Sequence, residues 1–268
     1  MEYGPIKQRL GDLFHNSVLK IVFFKLIDWL LLREWYLKRH LLPWAIPNKN
    51  KTVHILDAGS GFGQVAYYLG KVSKSWNILG IDINPNLVCE SNQFFIHSKM
   101  KNVVFRSQDL TEIDEKDVFD LVVCVDVLEE IEDDKKVIEN FHHSLKPGGK
   151  LILTVPSDHK GLIIKTRSFK LSESSYVRDG YKKEEIEELL KEAGFQRIKV
   201  RYTFGLAGQF SLKLGLKWPV SILNRGNFFY FVLPIYYIVF FPIVILLNFL
   251  DVFTPHFKGV GLIVKADK

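Results

Sequence analysis

Cysteine and methionine are nearly absent from this 268-residue chain, with two of each. No C-x-x-C pair and no Cys/His grouping with metal-ligand spacing occurs, so neither a structural zinc site nor a disulfide framework is expected. Cys89 and Cys124 fall in an expected helix and an expected buried strand, and both read as core residues of a reduced, cytosolic compartment. There is no internal repeat and no low-complexity stretch, which sets aside solenoids and disordered tails. Asp12, His15 and Lys20 interrupt each short apolar run near the start, so no secretory leader is expected. Charge is missing altogether from Gly226 to Leu250.

What is present is apolar and basic. Hydrophobic residues make up 47% of the chain, and the mean hydropathy is +0.06. The 21 phenylalanines crowd toward the two ends, which points to apolar surface beyond an ordinary core. The formal net charge of +6 favours an anionic partner: nucleic acid, acidic lipid or a phosphorylated substrate. The length suits one catalytic domain with added segments.

Residues 13–42 are mostly apolar, but Lys20, Lys25, Asp28 and Arg33 recur too often for an easy membrane span. A wide apolar face with basic flanks predicts a helix that covers a pocket or lies on a membrane, stopped by Pro43 and Pro47. From Thr52 the texture becomes strand–helix alternation. Strands are expected at 53–57, 78–82, 103–106, 119–125, 150–155 and 195–202, and helices at 62–71, from Pro85 to about 98, at 133–145 and at 182–193. The 119–125 strand, FDLVVCV, is mostly apolar and therefore buried on both faces. Such alternation predicts an α/β fold, a doubly wound, mostly parallel sheet with helices on both sides. GVGLIVK at 259–265 reads as a last strand. The expected organisation is an N-terminal apolar and basic helical segment at 1–50, a catalytic domain at 51–203 and 258–268, and an apolar insertion at 204–257.

The strongest motif is Ile55-Leu56-Asp57-Ala58-Gly59-Ser60-Gly61-Phe62-Gly63. A buried strand ends in an acid, turns through three glycines and enters a helix. Glycine allows positive φ and close backbone approach to a ligand. The phosphate-binding relative of this loop is G-x-G-x-x-G. An acid before the first glycine would repel a pyrophosphate and attract an ammonium, which points to a cationic, amino-acid-like cofactor. Here the chain resembles the class I, Rossmann-like, S-adenosylmethionine-dependent methyltransferases. Four further segments agree in order: Gly80-Ile81-Asp82-Ile83, Ser107-Gln108-Asp109-Leu110, Phe119 to Glu129, and Leu145-Lys146-Pro147-Gly148-Gly149-Lys150.

The resemblance implies the seven-stranded fold of that class and S-adenosylmethionine as cofactor, with S-adenosylhomocysteine as product. It assigns Asp57, Gly59, Ser60, Gly61 and Gly63 to the methionine part. It gives Asp82 to the ribose hydroxyls, beside Ile83. Asp109 and the Leu110 amide go to adenine, and Val125 and Asp126 line the pocket from the fourth motif. Many small-molecule members carry a histidine after the leucine-glutamate of that motif, where this chain has Glu130. Glu130 is a candidate base or the start of the next helix, where an acid suits the positive end of the dipole. His159, past the fifth strand, is a second candidate base at the crevice end of the sheet. Tyr176 and Arg178 in the following loop are candidate acceptor contacts, and no metal is expected.

In this family the last strand runs antiparallel beside the sixth. A single membrane crossing at 226–250 would strand it across the bilayer, so the insertion must go in and return or lie flat. Pro234 and Pro242 are the expected bends, with 204–223 as partner segment. Lys213, Lys217 and Arg225 would sit at headgroup level with Trp218, Tyr230, Tyr236 and Tyr237. The expectation is a monotopic enzyme on the cytoplasmic face of a membrane, docked through 13–42 and 204–257. Its acceptor is then a lipid, a lipid-linked sugar or an isoprenoid quinone. Burial of the two apolar segments in a dimer or an enlarged core is the competing expectation. A non-catalytic scaffold is disfavoured by Asp57, Asp82 and Asp109 together. A nucleic-acid methyltransferase is disfavoured because no N/D-P-P-Y-type tetrapeptide follows strand four.

Overall fold

The computed structural model describes residues 17–159, 161–163, 177–223 and 232–268. The first four residues of the 13–42 stretch, Tyr176, Arg225 and Tyr230 lie outside them. Two helices come first, α1 (Ser17–Leu30) and α2 (Leu32–Asn48). Leu31 separates them with an extended backbone, φ −86° and ψ 111°. The expectation that Pro43 and Pro47 end the helix is corrected: α2 runs through both to Asn48. Each proline removes one donor from the ladder. Burial of Leu41, Trp44 and Ala45 against the sheet outweighs that loss, and the Asn48 side chain donates to the Trp44 carbonyl at 2.8 Å.

The alternating segment forms β1 (Val53–Ala58), α3 (Gln64–Val72), β2 (Trp76–Asp82), α4 (Pro85–His97), β3 (Val103–Ser107), β4 (Phe119–Val125), α5 (Asp134–Ser144), β5 (Leu145–Pro156), α6 (Lys183–Glu192) and β6 (Gln196–Thr203). With β7 (Gly261–Asp267), these strands make one seven-stranded sheet in the order β3-β2-β1-β4-β5-β7-β6. The first five pair in parallel, and β7 is antiparallel to both β5 and β6. Strand order reverses beside β1, and in such sheets the ligand crevice lies outside the carboxyl ends at that point. β5 begins earlier than expected and takes in the Lys146–Gly149 turn, with a register shift against β4.

Apolar layers close both faces. Phe24, Leu37, Leu41 and Trp44 join Leu69 and Phe95 on one side. Val137, Phe141, Ile186 and Leu190 cover the other. Cys124 is buried as expected, whereas Cys89 is exposed. The reading of Cys89 as core is corrected because α4 turns Val88, Ser91, Phe94 and Phe95 inward instead.

Between β6 and β7 the chain makes α7 (Leu206–Leu212), a π-helical turn (Lys213–Lys217), α8 (Trp218–Leu223) and α9 (Val232–Phe253). Gly208 meets Asp251, Ser211 meets Asn248 and Gly215 meets Tyr237, so the two arms form an antiparallel helical hairpin. The reversal is not at the prolines. Pro234 sits in the first turn of α9 and Pro242 inside it.

The hairpin base is locked by polar groups. Asp251, fully buried, accepts from Tyr36 Oη at 2.6 Å and from the Gly208 amide at 2.7 Å. Asn248 donates to the Trp29 carbonyl at 3.3 Å, which pins the end of α1. Farther out, Trp218 gives its amide to Lys213, and Pro219 has none to give. The Leu214 and Gly215 carbonyls are capped instead by hydroxyls from the facing arm, Tyr236 at 2.7 Å and Tyr237 at 2.9 Å.

Candidate cofactor and active site

The glycine loop after β1 has the conformation its composition allows. Gly59, Gly61 and Gly63 all have positive φ, at 72°, 52° and 78°. A Cβ on Gly59 would collide with Val127, while one on Gly61 would meet nothing within 4 Å. The loop is thus tight on its inner side and open at Gly61. The Ser60 hydroxyl is buried without a protein partner.

The three acids stand at successive strand ends, in different states. Asp57 is 2% exposed, and its Oδ2 accepts from the Ala66 amide at 3.0 Å. Burial lifts its pKa to about 7, opposed by that amide and reinforced by the Glu34 and Asp82 charges. Asp82 accepts from the Gly61 amide at 2.8 Å and from the Asn84 amide at 2.9 Å, so it ties the glycine loop to the end of β2. Each of its oxygens keeps a lone pair for a further donor. Ile83 beside it is 70% exposed. Asp109 caps the short 3-10 turn Leu110–Glu112, with Oδ1 accepting from the Thr111 amide and hydroxyl, each at 2.8 Å. As first residue of that turn, Leu110 has an amide with no acceptor inside it.

Sequence reasoning passed over two residues of α2. Arg33 donates from Nη1 to Asp126 at 3.0 Å, with buried Glu34 at 3.6 Å from its Nε. Burial disfavours the Arg33 charge. The Asp126, Glu34 and Glu129 carboxylates overcome it and hold the guanidinium above its ordinary range. Burial pushes Glu34 up, against the pull of Arg33. Asp126 follows Val125 at the end of β4 with positive φ and also accepts from Thr154 Oγ1 at 2.8 Å. The available signal was an adjacent Arg–Glu pair inside an apolar helix. The break at Leu31 is what turns this pair over the strand ends.

Of the two acids after the fourth motif, Glu129 is buried and Glu130 is half-exposed. The Glu129 carbonyl accepts from the Val177 and Arg178 amides. The Arg178 guanidinium is committed to Asp134 at 3.1 Å and to Glu185 at 2.9 Å. It clamps the returning loop onto α5 and α6. His159 lies just past β5, its amide donating to Ser157 Oγ at 3.1 Å.

An open notch at Gly61, an orphaned buried hydroxyl at Ser60 and four nearby carboxylates suit a cation with hydroxyl and amine donors. That is the donor set of S-adenosylmethionine, and the residues present fit it. The sheet order, the antiparallel β7 and this loop define a class I, Rossmann-like, S-adenosylmethionine-dependent methyltransferase. The chain belongs to the methyltransferase-domain family, whose model matches residues 49–194.

Among similar proteins, an uncharacterised protein of Methanocaldococcus jannaschii, MJ1123, is 32% identical over 137 residues, 50% of this chain and 63% of its own. The ubiquinone biosynthesis O-methyltransferase of Coxiella burnetii is 31% identical over 106 residues, 39% of this chain and 44% of its own. The chain thus covers about half the length of these relatives. The solved structure of Haemonchus contortus phosphoethanolamine N-methyltransferase 2 with S-adenosyl-L-methionine superposes at a TM-score of 0.61. It is 22% identical and covers 87% of this chain and 52% of that one, a likeness of fold.

Proposed function

We propose that this methyltransferase acts on a membrane-resident small molecule, a lipid, a lipid-linked sugar or an isoprenoid quinone, from the cytoplasmic face of a membrane. The observation that carries this reading is the position of the apolar hairpin against the cofactor crevice. Gly208 of α7 packs on Leu32, the residue before Arg33, and Gln209 accepts from the Ile163 amide beyond β5. The outer face of α9 is a stripe of exposed apolar side chains that includes Ile235, Ile238, Leu246, Phe249 and Phe253. Among the described residues, α9 is the one helix long and apolar enough to cross a membrane. Both its halves are bonded to the opposite arm, so α9 belongs to a hairpin that returns to β7 on the same side, and in this reading it docks without a single crossing. The α1 side chains Val18, Val22, Leu26 and Trp29 are exposed as well. The Coxiella relative carries the name of a quinone-pathway enzyme, which suits an acceptor drawn from a bilayer.

In this reading Asp82 holds the ribose, Asp109 and Leu110 the adenine, and the Gly59–Gly63 loop with Asp57 the methionine part. Arg33 would take the cofactor carboxylate, with Asp126 fixing the guanidinium's orientation at 3.0 Å. The cofactor supplies a methyl group on a sulfonium, whose bonding pair stays on sulfur as S-adenosylhomocysteine forms. Alignment of the acceptor accounts for much of the rate, on the order of 7–11 kcal/mol in good model systems. A hydroxyl acceptor also loses its proton, and Glu130 or His159 takes it.

The test is transfer of label from S-adenosylmethionine into a total lipid extract, with sedimentation of full-length protein on liposomes. Labelled lipid product and co-sedimentation are expected. A protein that stays soluble without detergent and ignores liposomes would exclude membrane docking.

A further inference from the structure

The face of the sheet that carries α2 ends in an unbalanced group of cations. Lys199 of β6 lies directly opposite Lys265 of β7 in the antiparallel register. Like charges opposed across strands repel. Arg201, two residues along β6, shares their face, and both it and Lys199 are exposed. Lys265 Nζ also approaches the His40 carbonyl at 3.5 Å. Burial lowers the Lys265 pKa, and Arg201, Lys199 and Lys150 lower it further. The buried His40 imidazole is held down to about 4, by burial first and then by Lys265, Arg201 and Arg39. The nearest acid, Asp267, is already taken by Lys150 at 2.6 Å and by Arg197 at 2.8 Å.

This group adjoins the apolar stripe. The Arg39 guanidinium lies over the Phe253 ring, 4.7 Å from its centroid, at the last residue of α9. Phe257, 92% exposed, and Lys258 follow it in the chain. An apolar ridge that runs into uncompensated positive charge matches a surface with hydrocarbon beneath anionic headgroups.

We propose that Arg39, Lys199, Arg201 and Lys265 form a recognition surface for the phosphates of anionic lipid headgroups, so that the enzyme selects acidic over neutral membrane. The inference rests on the docking reading above and adds the lipid class to it. Docking through apolar contact alone would leave β6 and β7 indifferent to headgroup charge.

The test compares full-length protein on vesicles of phosphatidylcholine alone and of phosphatidylcholine mixed with phosphatidylglycerol. Tighter binding to the mixed vesicles is expected, weakening as salt rises. The Lys199→Ala/Arg201→Ala double variant alters two exposed side chains outside the cofactor site. Its affinity for mixed vesicles should fall roughly 30-fold, from about fivefold per cation, with neutral-vesicle and cofactor binding unchanged. Lys199→Arg/Arg201→Lys should retain the preference. Equal affinity for the two vesicles, or a double variant that binds mixed vesicles like the parent, overturns the headgroup surface and leaves docking intact. Absence of binding to either vesicle removes the docking reading itself. Tighter binding of a single-stranded oligonucleotide than of mixed vesicles at the same salt assigns the patch to nucleic acid and also overturns it.

Discussion

Asp57 and Asp82 look alike in sequence, each an acid closing a short apolar strand, yet their surroundings give them different work. Asp82 is partly exposed and bonded to amides on both sides, so it presents its free lone pairs to the crevice. Asp82→Ala should weaken cofactor binding on the order of 100-fold, from the loss of two charge-assisted bonds, read by titration calorimetry. Near-normal affinity would contradict its assignment.

Asp57 is sealed in, with a pKa raised to about 7 from the ordinary value of 3.8. The folded protein therefore keeps a proton that the unfolded chain releases between about pH 4 and 7. Its contribution to stability is present at acid pH and is lost as pH rises through about 7. A cofactor cation favours the ionised form, so cofactor affinity should rise from about pH 6 to 8 as that proton leaves. Asp57→Asn keeps an acceptor for the Ala66 amide and should flatten both profiles. A variant that retains the parent's pH dependence would assign it to another group.

At the scale of elements, the break at Leu31 and the π turn at Lys213–Lys217 carry the consequences. The first swings Arg33 onto Asp126, and Asn248 of α9 pins the helix end just before it. The second leaves carbonyls that two tyrosine hydroxyls cover. Tyr236→Phe/Tyr237→Phe removes both caps with little change in shape. It should lower stability by about 2–3 kcal/mol, at roughly 1–1.5 kcal/mol per bond, measured by urea unfolding. An unchanged midpoint would mean that water or lipid replaces the hydroxyls.

For the molecule as a whole, the hairpin divides into a polar base and an apolar outer part. Buried side chains of α9 (Val244, Asn248, Asp251 and Val252) all belong to its second half. Replacing residues 213–243 by a short glycine-serine link keeps Asp251 on Gly208 and Asn248 on Ser211. Cofactor affinity should then stay within about twofold, as expected when distant sites are independent, while liposome sedimentation is lost. Unfolding of this variant, seen by circular dichroism, would make the outer hairpin part of the core.

Local signals carried most of the fold. Apolar runs of strand length, glycine after acid, and helical segments after the first, second, fourth and fifth strands made the parallel sheet legible, because each depends on residues near one another in sequence. The placement of Asp57, Asp82 and Asp109 at the ends of neighbouring strands was legible for the same reason, since each ends or follows a strand. The long-range outcomes were not. Proline predicted helix stops at Pro43 and Pro47 that packing overrode, because buried apolar contacts outweigh a lost donor in a ladder. Pro234 and Pro242 instead fall within α9, Pro234 in a first turn that has no ladder donor to lose. Cys89 went to the surface because α4 had larger apolar side chains to bury. Arg33 reached Asp126, 93 residues away in sequence, and Lys199 came to face Lys265, through the register of strands and the angle of one broken helix. Composition determines which groups need burial or a partner, and only the packed tertiary structure decides which partner each one meets.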